Sequence, residues 1–207
     1  MAGVLFTLLA GISVADAQEL RIAALGDSLT AGYGLAPGEG LVPQLEAWLR
    51  ARGHAVTVIN AGVSGDTTTG GRARLDWTLA DAPQAMIVAL GGNDLLRGID
   101  PAISRANLEA ILARLAEEGI PALLVGLPAP GNYGPEYQQA FAAMYPELAA
   151  AQGALLVPDM LAPLATADGG PRAVMQADMI HPNPQGVALV VEAMGPVVEE
   201  LIGRIGE

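Results

Sequence analysis

Five short, mostly apolar runs, each followed by a longer amphipathic stretch, constrain this chain more than any other feature. The runs are Leu20–Leu25, Ala55–Ile59, Ala85–Leu90, Ala122–Gly126 and Leu155–Val157. They lack the in/out alternation of half-exposed strands and read as strands covered on both faces. Helical patterns lie near residues 40–52, 71–80, 101–118, 135–152 and 185–204. Pro101 suits a first helical position, and Gly53 and Gly119 suit helix ends. Pro146 is expected to kink or divide the fourth helix. Repeated β–α units of this kind build one domain, a parallel sheet with helices on both faces and right-handed crossovers. A length of 207 residues agrees, and 52% hydrophobic against 15% charged residues supplies a large core and excludes disorder.

The residue inventory removes most chemistries. There is no cysteine, which excludes disulfides, thiolate metal sites and a cysteine nucleophile. All ten basic residues are arginine, so a P-loop lysine, a Schiff base and Ser-x-x-Lys acylation are excluded too. A formal charge of −12 with no basic stripe argues against nucleic acid and anionic membrane surfaces as partners. Histidine occurs only at 54 and 181, and serine only at 13, 28, 64 and 104.

Residues 4–14 are almost wholly apolar and lead into Ala15-Asp16-Ala17, a small-x-small cleavage pattern. The stretch is too short to span a bilayer as a helix. Residues 1–17 read as a secretory signal, although no basic residue precedes the apolar run, and residues 18–207 as the mature domain. The expected location is periplasmic or secreted, without stable membrane insertion after cleavage.

In doubly wound sheets, ligands bind where the chain leaves the carboxyl ends of the strands. Four polar clusters fall there: Gly26-Asp27-Ser28-Leu29-Thr30, Asn60 to Asp66, Gly91-Gly92-Asn93-Asp94, and Asp178-Met179-Ile180-His181-Pro182-Asn183. Each residue has a plain reading beside a chemical one. Ser28 is a helix cap or a nucleophile whose own N–H helps hold an oxyanion. Ser64 is its rival in a Gly/Thr-rich turn, and neither serine has the Gly-x-Ser-x-Gly elbow. His181 is a base oriented by Asp178, or half of a surface pair. His54 reads as structural, at a helix-to-strand turn. Gly62 and Asn93 are turn formers or, jointly, donors to an oxyanion. Asp27, Asp66 and Asp94 are expected to tie down their loops rather than hold a hard cation. No metal or cofactor is expected.

Taken together, Gly26-Asp27-Ser28-Leu29, Gly62, Gly91-Gly92-Asn93-Asp94 and Asp178-x-x-His181 resemble, in order, the four blocks of the SGNH (GDSL) hydrolase family. The longer strings Gly26 to Gly34, Asn132-Tyr133-Gly134 and Asp178 to Asn183 resemble its bacterial periplasmic branch of acyl-thioesterases, lysophospholipases and arylesterases. The resemblance runs from about residue 20 to the C-terminus. It implies a three-layer α/β/α sandwich with a flavodoxin-like five-stranded parallel sheet. It also implies Ser28 as nucleophile, His181 as base and Asp178 as its partner, with Ser28, Gly62 and Asn93 as the oxyanion hole. The expected activity is hydrolysis of small-molecule acyl esters or thioesters through an acyl-enzyme. The acyl chain would lie against Leu95, Leu96, Ile99, Leu127, Pro128 and Ile180. The alternatives are a carbohydrate O-deacetylase using the same triad, and a non-catalytic binding domain.

Overall fold

The computed structural model describes residues 19–206, so the proposed signal segment lies outside the described residues. The elements are β1 (Leu20–Gly26), α1 (Ser28–Ala31), α2 (Leu41–Ala51), β2 (Val56–Gly62), α3 (Thr68–Ala73), α4 (Leu75–Leu79), β3 (Ala85–Ala89) and α5 (Gly92–Leu96). They continue with α6 (Pro101–Glu117), β4 (Ala122–Val125), α7 (Pro135–Gln152), β5 (Leu155–Val157), α8 (Ala162–Ala165) and α9 (Pro184–Gly203). Two single 3₁₀ turns, Gly131–Tyr133 and Pro171–Val174, lie in the loops.

The five strands form one parallel sheet in the order β2-β1-β3-β4-β5. Successive residues of the inner strands enter opposite cores. Ile22, Ala24, Ile87, Leu123 and Val125 pack with α2 and α9 on one face. Ala23, Leu25, Met86, Val88 and Leu124 pack with α6 and α7 on the other. This two-sided burial is why these strands are continuously apolar, since each Val, Leu, Ile or Met side chain fully removed from water contributes about 1.5–3 kcal/mol. The edge strand β2 differs: Val56 and Val58 are buried while Thr57 and Ile59 are partly exposed.

Three details depart from the sequence reading. The stretch near 71–80 is two short helices, α3 and α4, meeting at Arg74. α7 runs through Pro146 without a break, because Phe141, Met144, Tyr145, Leu148 and Ala149 on both sides of it are anchored in the core. The single-turn helices α1 and α5 are too short to carry a hydrophobic period.

The chain passes from β1 to β2 on one side and, after β2, to β3 on the other side of β1. The loops leaving β1 and β3 therefore diverge, which opens a crevice at the carboxyl edge. α1 and α5 begin in that crevice.

Candidate active site

Ser28 opens α1, and Asp27 caps it by accepting a hydrogen bond from Leu29 N–H at 3.0 Å. The cap is thus Asp27 and not Ser28, so the Ser28 hydroxyl is not spent on capping the helix. His181 sits in the loop before α9, where Asn183 caps the helix through Gln185 N–H and Gly186 N–H. Gln176 ties this loop to the one after α1. Its backbone N–H donates to His181 O at 2.8 Å, and its side-chain amide donates to Tyr33 O at 2.8 Å and Pro182 O at 2.9 Å. The Tyr33 ring lies 4.8 Å from the imidazole, centroid to centroid.

Asp178 Oδ2 lies 2.7 Å from His181 Nδ1, and His181 Nε2 lies 2.8 Å from Ser28 Oγ. A carboxylate only accepts, so Nδ1 carries the proton and Nε2 accepts from the hydroxyl. Asp178 Oδ1 also accepts from Ile180 N–H at 3.0 Å and His181 N–H at 3.1 Å. The hydrogen bond from His181, backed by these two amides, holds the Asp178 pKa at about 2, below the ordinary 3.8.

Ser28 and His181 line a cleft of about 410 Å³, together with Asn93, Ser64, Gly65, Leu95, Leu96, Leu127, Pro128 and Ile180. Tyr33, Leu161, Met175 and Met179 complete its apolar wall. Five of the six residues expected to meet an acyl chain are therefore placed in the cleft. Ile99 is not. The backbone folds back after α5, with Ile99 N–H bonded to Asp94 O at 2.9 Å and Ile99 O accepting from Tyr137 Oη at 3.0 Å. That turn carries Ile99 away from the cleft and toward α7.

Asn93 is on the cleft wall, its amide donating to Asp27 Oδ2 at 3.3 Å. Burial pushes the Asp27 pKa up, while the bonds from Leu29 and Asn93 oppose the shift. Gly62 is the second correction. It ends β2 against the backbone of α1, away from the cleft lining, and its N–H already donates to Asn60 Oδ1 at 2.9 Å. Gly65, three residues on, lines the cleft beside Ser28 and Asn93. It sits at φ 82°, in a turn closed by Asp66 N–H to Val63 O at 3.0 Å, and its N–H has no hydrogen-bond partner among the described residues. A backbone donor leaves no side-chain signature. The only signal in the sequence was that a second glycine lay three residues beyond the first.

The other candidates resolve simply. Ser64 lines the cleft, but neither imidazole is bonded to it: His181 is on Ser28, and His54 Nε2 pairs with Glu199 at 2.9 Å. The three carboxylates do tie down their loops. Asp27 caps α1, Asp66 pairs with Arg74 at 2.7 Å, and Asp94 is fully buried. Asp94 accepts from Thr68 N–H at 2.8 Å, Thr68 Oγ1 at 2.6 Å and Ser104 Oγ at 2.9 Å, joining α5 to α3 and α6.

Residues 24–189 match the GDSL-like lipase/acylhydrolase family. The chain belongs to this family. It is 39% identical over 189 residues to esterase TesA of Pseudomonas aeruginosa, covering 91% of each chain. It is 34% identical over 201 residues to thioesterase 1/protease 1/lysophospholipase L1 of Escherichia coli K12, covering 97% of this chain and 92% of that one. Among solved structures, a crystal structure of TesA superposes with a TM-score of 0.80 at 38% identity, covering 87% of this chain and 99% of the other. The SGNH-family esterase AlinE4 gives 0.74 at 44% identity, covering 88% and 96%. The α/β fold with its five-stranded parallel sheet is the one these esterases share, and the GDSL family member described here is an ester-hydrolysing enzyme.

Proposed function

We propose that Ser28, His181 and Asp178 are the catalytic triad of a metal-independent esterase and thioesterase acting on substrates with an apolar acyl chain. The observation that carries this reading is one hydrogen-bonded line, Asp178–His181–Ser28, ending at the mouth of an apolar cleft. Ser28 Oγ attacks the carbonyl carbon while His181 Nε2 takes its proton. The carbonyl oxygen becomes an oxyanion, received by the N–H groups of Ser28 and Gly65 and the side-chain amide of Asn93. The intermediate collapses, and the leaving alcohol or thiol receives the proton from His181. Water, deprotonated by the same imidazole, then attacks the acyl-Ser28 ester and frees the acid and the serine. Asp178 keeps the imidazole in the tautomer that can accept from Ser28 and stabilises the imidazolium.

The lining sets the substrate class. Leu95, Leu96, Leu127, Pro128, Leu161, Met175, Met179 and Ile180 offer an acyl chain dispersion contacts and almost no hydrogen bonds. A carbohydrate deacetylase would need a polar groove here. The names of the relatives, esterase TesA, arylesterase from Vibrio mimicus and thioesterase 1/lysophospholipase L1, agree with one cleft serving several leaving groups. The test is a panel of p-nitrophenyl esters and acyl thioesters of graded chain length. The proposal expects kcat/KM to rise from acetyl to medium chains and acetylated polysaccharide to be a poor substrate; the reverse order contradicts it.

No helix among the described residues is long and apolar enough to cross a membrane. Export follows from the leader pattern at residues 1–17, and N-terminal sequencing of the secreted or periplasmic protein, beginning at Gln18, tests it.

A further inference from the structure

Oxygens from three separate segments converge on the guanidinium of Arg74, the residue between α3 and α4. Nε donates to Asp66 Oδ2 at 2.7 Å, Nη1 to Ala61 O at 2.7 Å and Nη2 to Gly26 O at 2.8 Å. The side chain is only 23% exposed and that of Asp66 only 11%. One planar fork therefore makes three short charge-assisted bonds, a geometry a lysine cannot reproduce.

The places it grips are not arbitrary. Gly26 ends β1 and leads directly into Asp27 and Ser28. Ala61 lies at the carboxyl end of β2. Asp66 follows Gly65 and closes, through its N–H to Val63 O, the turn that holds Gly65 at the cleft. Gly26 O also accepts from Val63 N–H at 3.0 Å, so the end of β1 and the turn after β2 are joined twice. Two parallel strands finish here, and Arg74 bridges their last carbonyls, Ala61 O and Gly26 O, the latter already holding the Val63 N–H; bound water could satisfy the same oxygens without fixing their spacing.

We propose that Arg74 is a positioning residue for the reaction. Its guanidinium sets the separation between the Ser28 backbone and the Gly65 N–H, so that the oxyanion pocket is formed before substrate arrives. Arg74 touches neither substrate nor reacting atoms. The inference rests on the serine-hydrolase reading above and deepens it. Donors of this kind act only when held at hydrogen-bond distance from where the charge develops, and a misplacement of about 1 Å costs about 10²-fold in rate.

The experiment compares wild type with Arg74→Gln, Arg74→Lys, Asp66→Asn and Ser28→Ala. The readouts are kcat per titrated active site, KM, Tm and the Ki of an alkyl boronic acid, whose tetrahedral adduct on Ser28 mimics the intermediate. Arg74→Gln is expected to lower kcat by about 10²-fold and raise the boronate Ki by a matching factor, with KM unchanged. Arg74→Lys should recover part of both losses, because it keeps the charge but not the fork. A merely structural role would lower Tm while leaving kcat per titrated site and the boronate Ki at wild-type values, and that result overturns the proposal. If Arg74→Gln does not fold, Arg74→Lys and Asp66→Asn decide by the same two readouts. Ser28→Ala separates the claims. Activity surviving in it sinks the serine reading itself, whereas an inactive Ser28→Ala beside a wild-type-like Arg74→Gln sinks only the positioning role.

Discussion

Gly62→Ala tests whether packing, rather than hydrogen bonding, is what this glycine supplies. A Cβ built on Gly62 falls 2.8 Å from both Ala31 Cα and Thr30 C, with Ala31 N closer still. Ordinary contact begins near 3.4 Å, so relieving the Cα and C contacts alone takes about 0.6 Å of backbone movement, and the closer Ala31 N demands more. The atoms in the way belong to α1, the four-residue helix that Ser28 opens, and they are backbone rather than a flexible side-chain tip. Overpacking of this kind costs about 1–3 kcal/mol. For a chain of this size that is a Tm lowered by roughly 2–12 °C. The same displacement shifts the nucleophile, so kcat should fall by about 10- to 10²-fold. Alanine keeps the backbone N–H and introduces no positive-φ strain, because Gly62 is not among the positive-φ residues. Loss of activity therefore comes from the displaced helix. The assay pairs a thermal melt with p-nitrophenyl butyrate turnover normalised by active-site titration. Wild-type Tm together with wild-type kcat would refute the packing argument.

Two further outcomes follow from the geometry. Asp178 has its pKa lowered to about 2, so the stability it contributes is present above its ordinary 3.8 and is lost as pH falls toward 2. Asp178 therefore stays ionised from pH 4 upward and should add no acid limb of its own to log kcat/KM in that range; a carboxylate limb near pH 4, absent in Asp178→Asn, would show that the pair is not held as drawn. In the cleft, Ile180→Ala and Leu127→Ala should raise KM for medium-chain esters several-fold while acetate esters change little, since each removes apolar wall worth about 1–3 kcal/mol per substituent-sized contact. Ile99→Ala should leave chain-length preference unchanged, and a shift equal to that of Ile180→Ala would place Ile99 back in the cleft.

The architecture was legible because burial on both faces writes itself into β1, β3 and β4 as unbroken apolar sequence. Edge strand β2 was legible only in part: its last residues, Asn60 to Gly62, pair with β1 but carry no apolar signal. Side chains with rare chemistry were also legible. With two imidazoles and four serines in the chain the candidates were few, the four-block family resemblance pointed to Ser28 and His181 among them, and the structure brings these two to 2.8 Å. Backbone chemistry was not. Gly62 and Gly65 are equivalent letters on either side of Ser64. Only the folded turn shows that one N–H is spent on Asn60, while the other belongs to a residue of the cleft wall and has no hydrogen-bond partner among the described residues. Ile99 was misplaced for a related reason, because a single helical turn at α5 rotates the chain away from the cleft within three residues of Leu96. Arg74 carried no signal at all, since its three acceptors are two carbonyls and a carboxylate brought together by the sheet ends.

The most direct measurement is the site of covalent capture by an alkyl fluorophosphonate, read by peptide mass spectrometry on wild type and Ser28→Ala. The account predicts a single adduct on the peptide containing Ser28, stoichiometric with loss of esterase turnover and absent from the variant. Full turnover without an adduct at Ser28, or capture transferred to Ser64 in the wild-type protein, would contradict it.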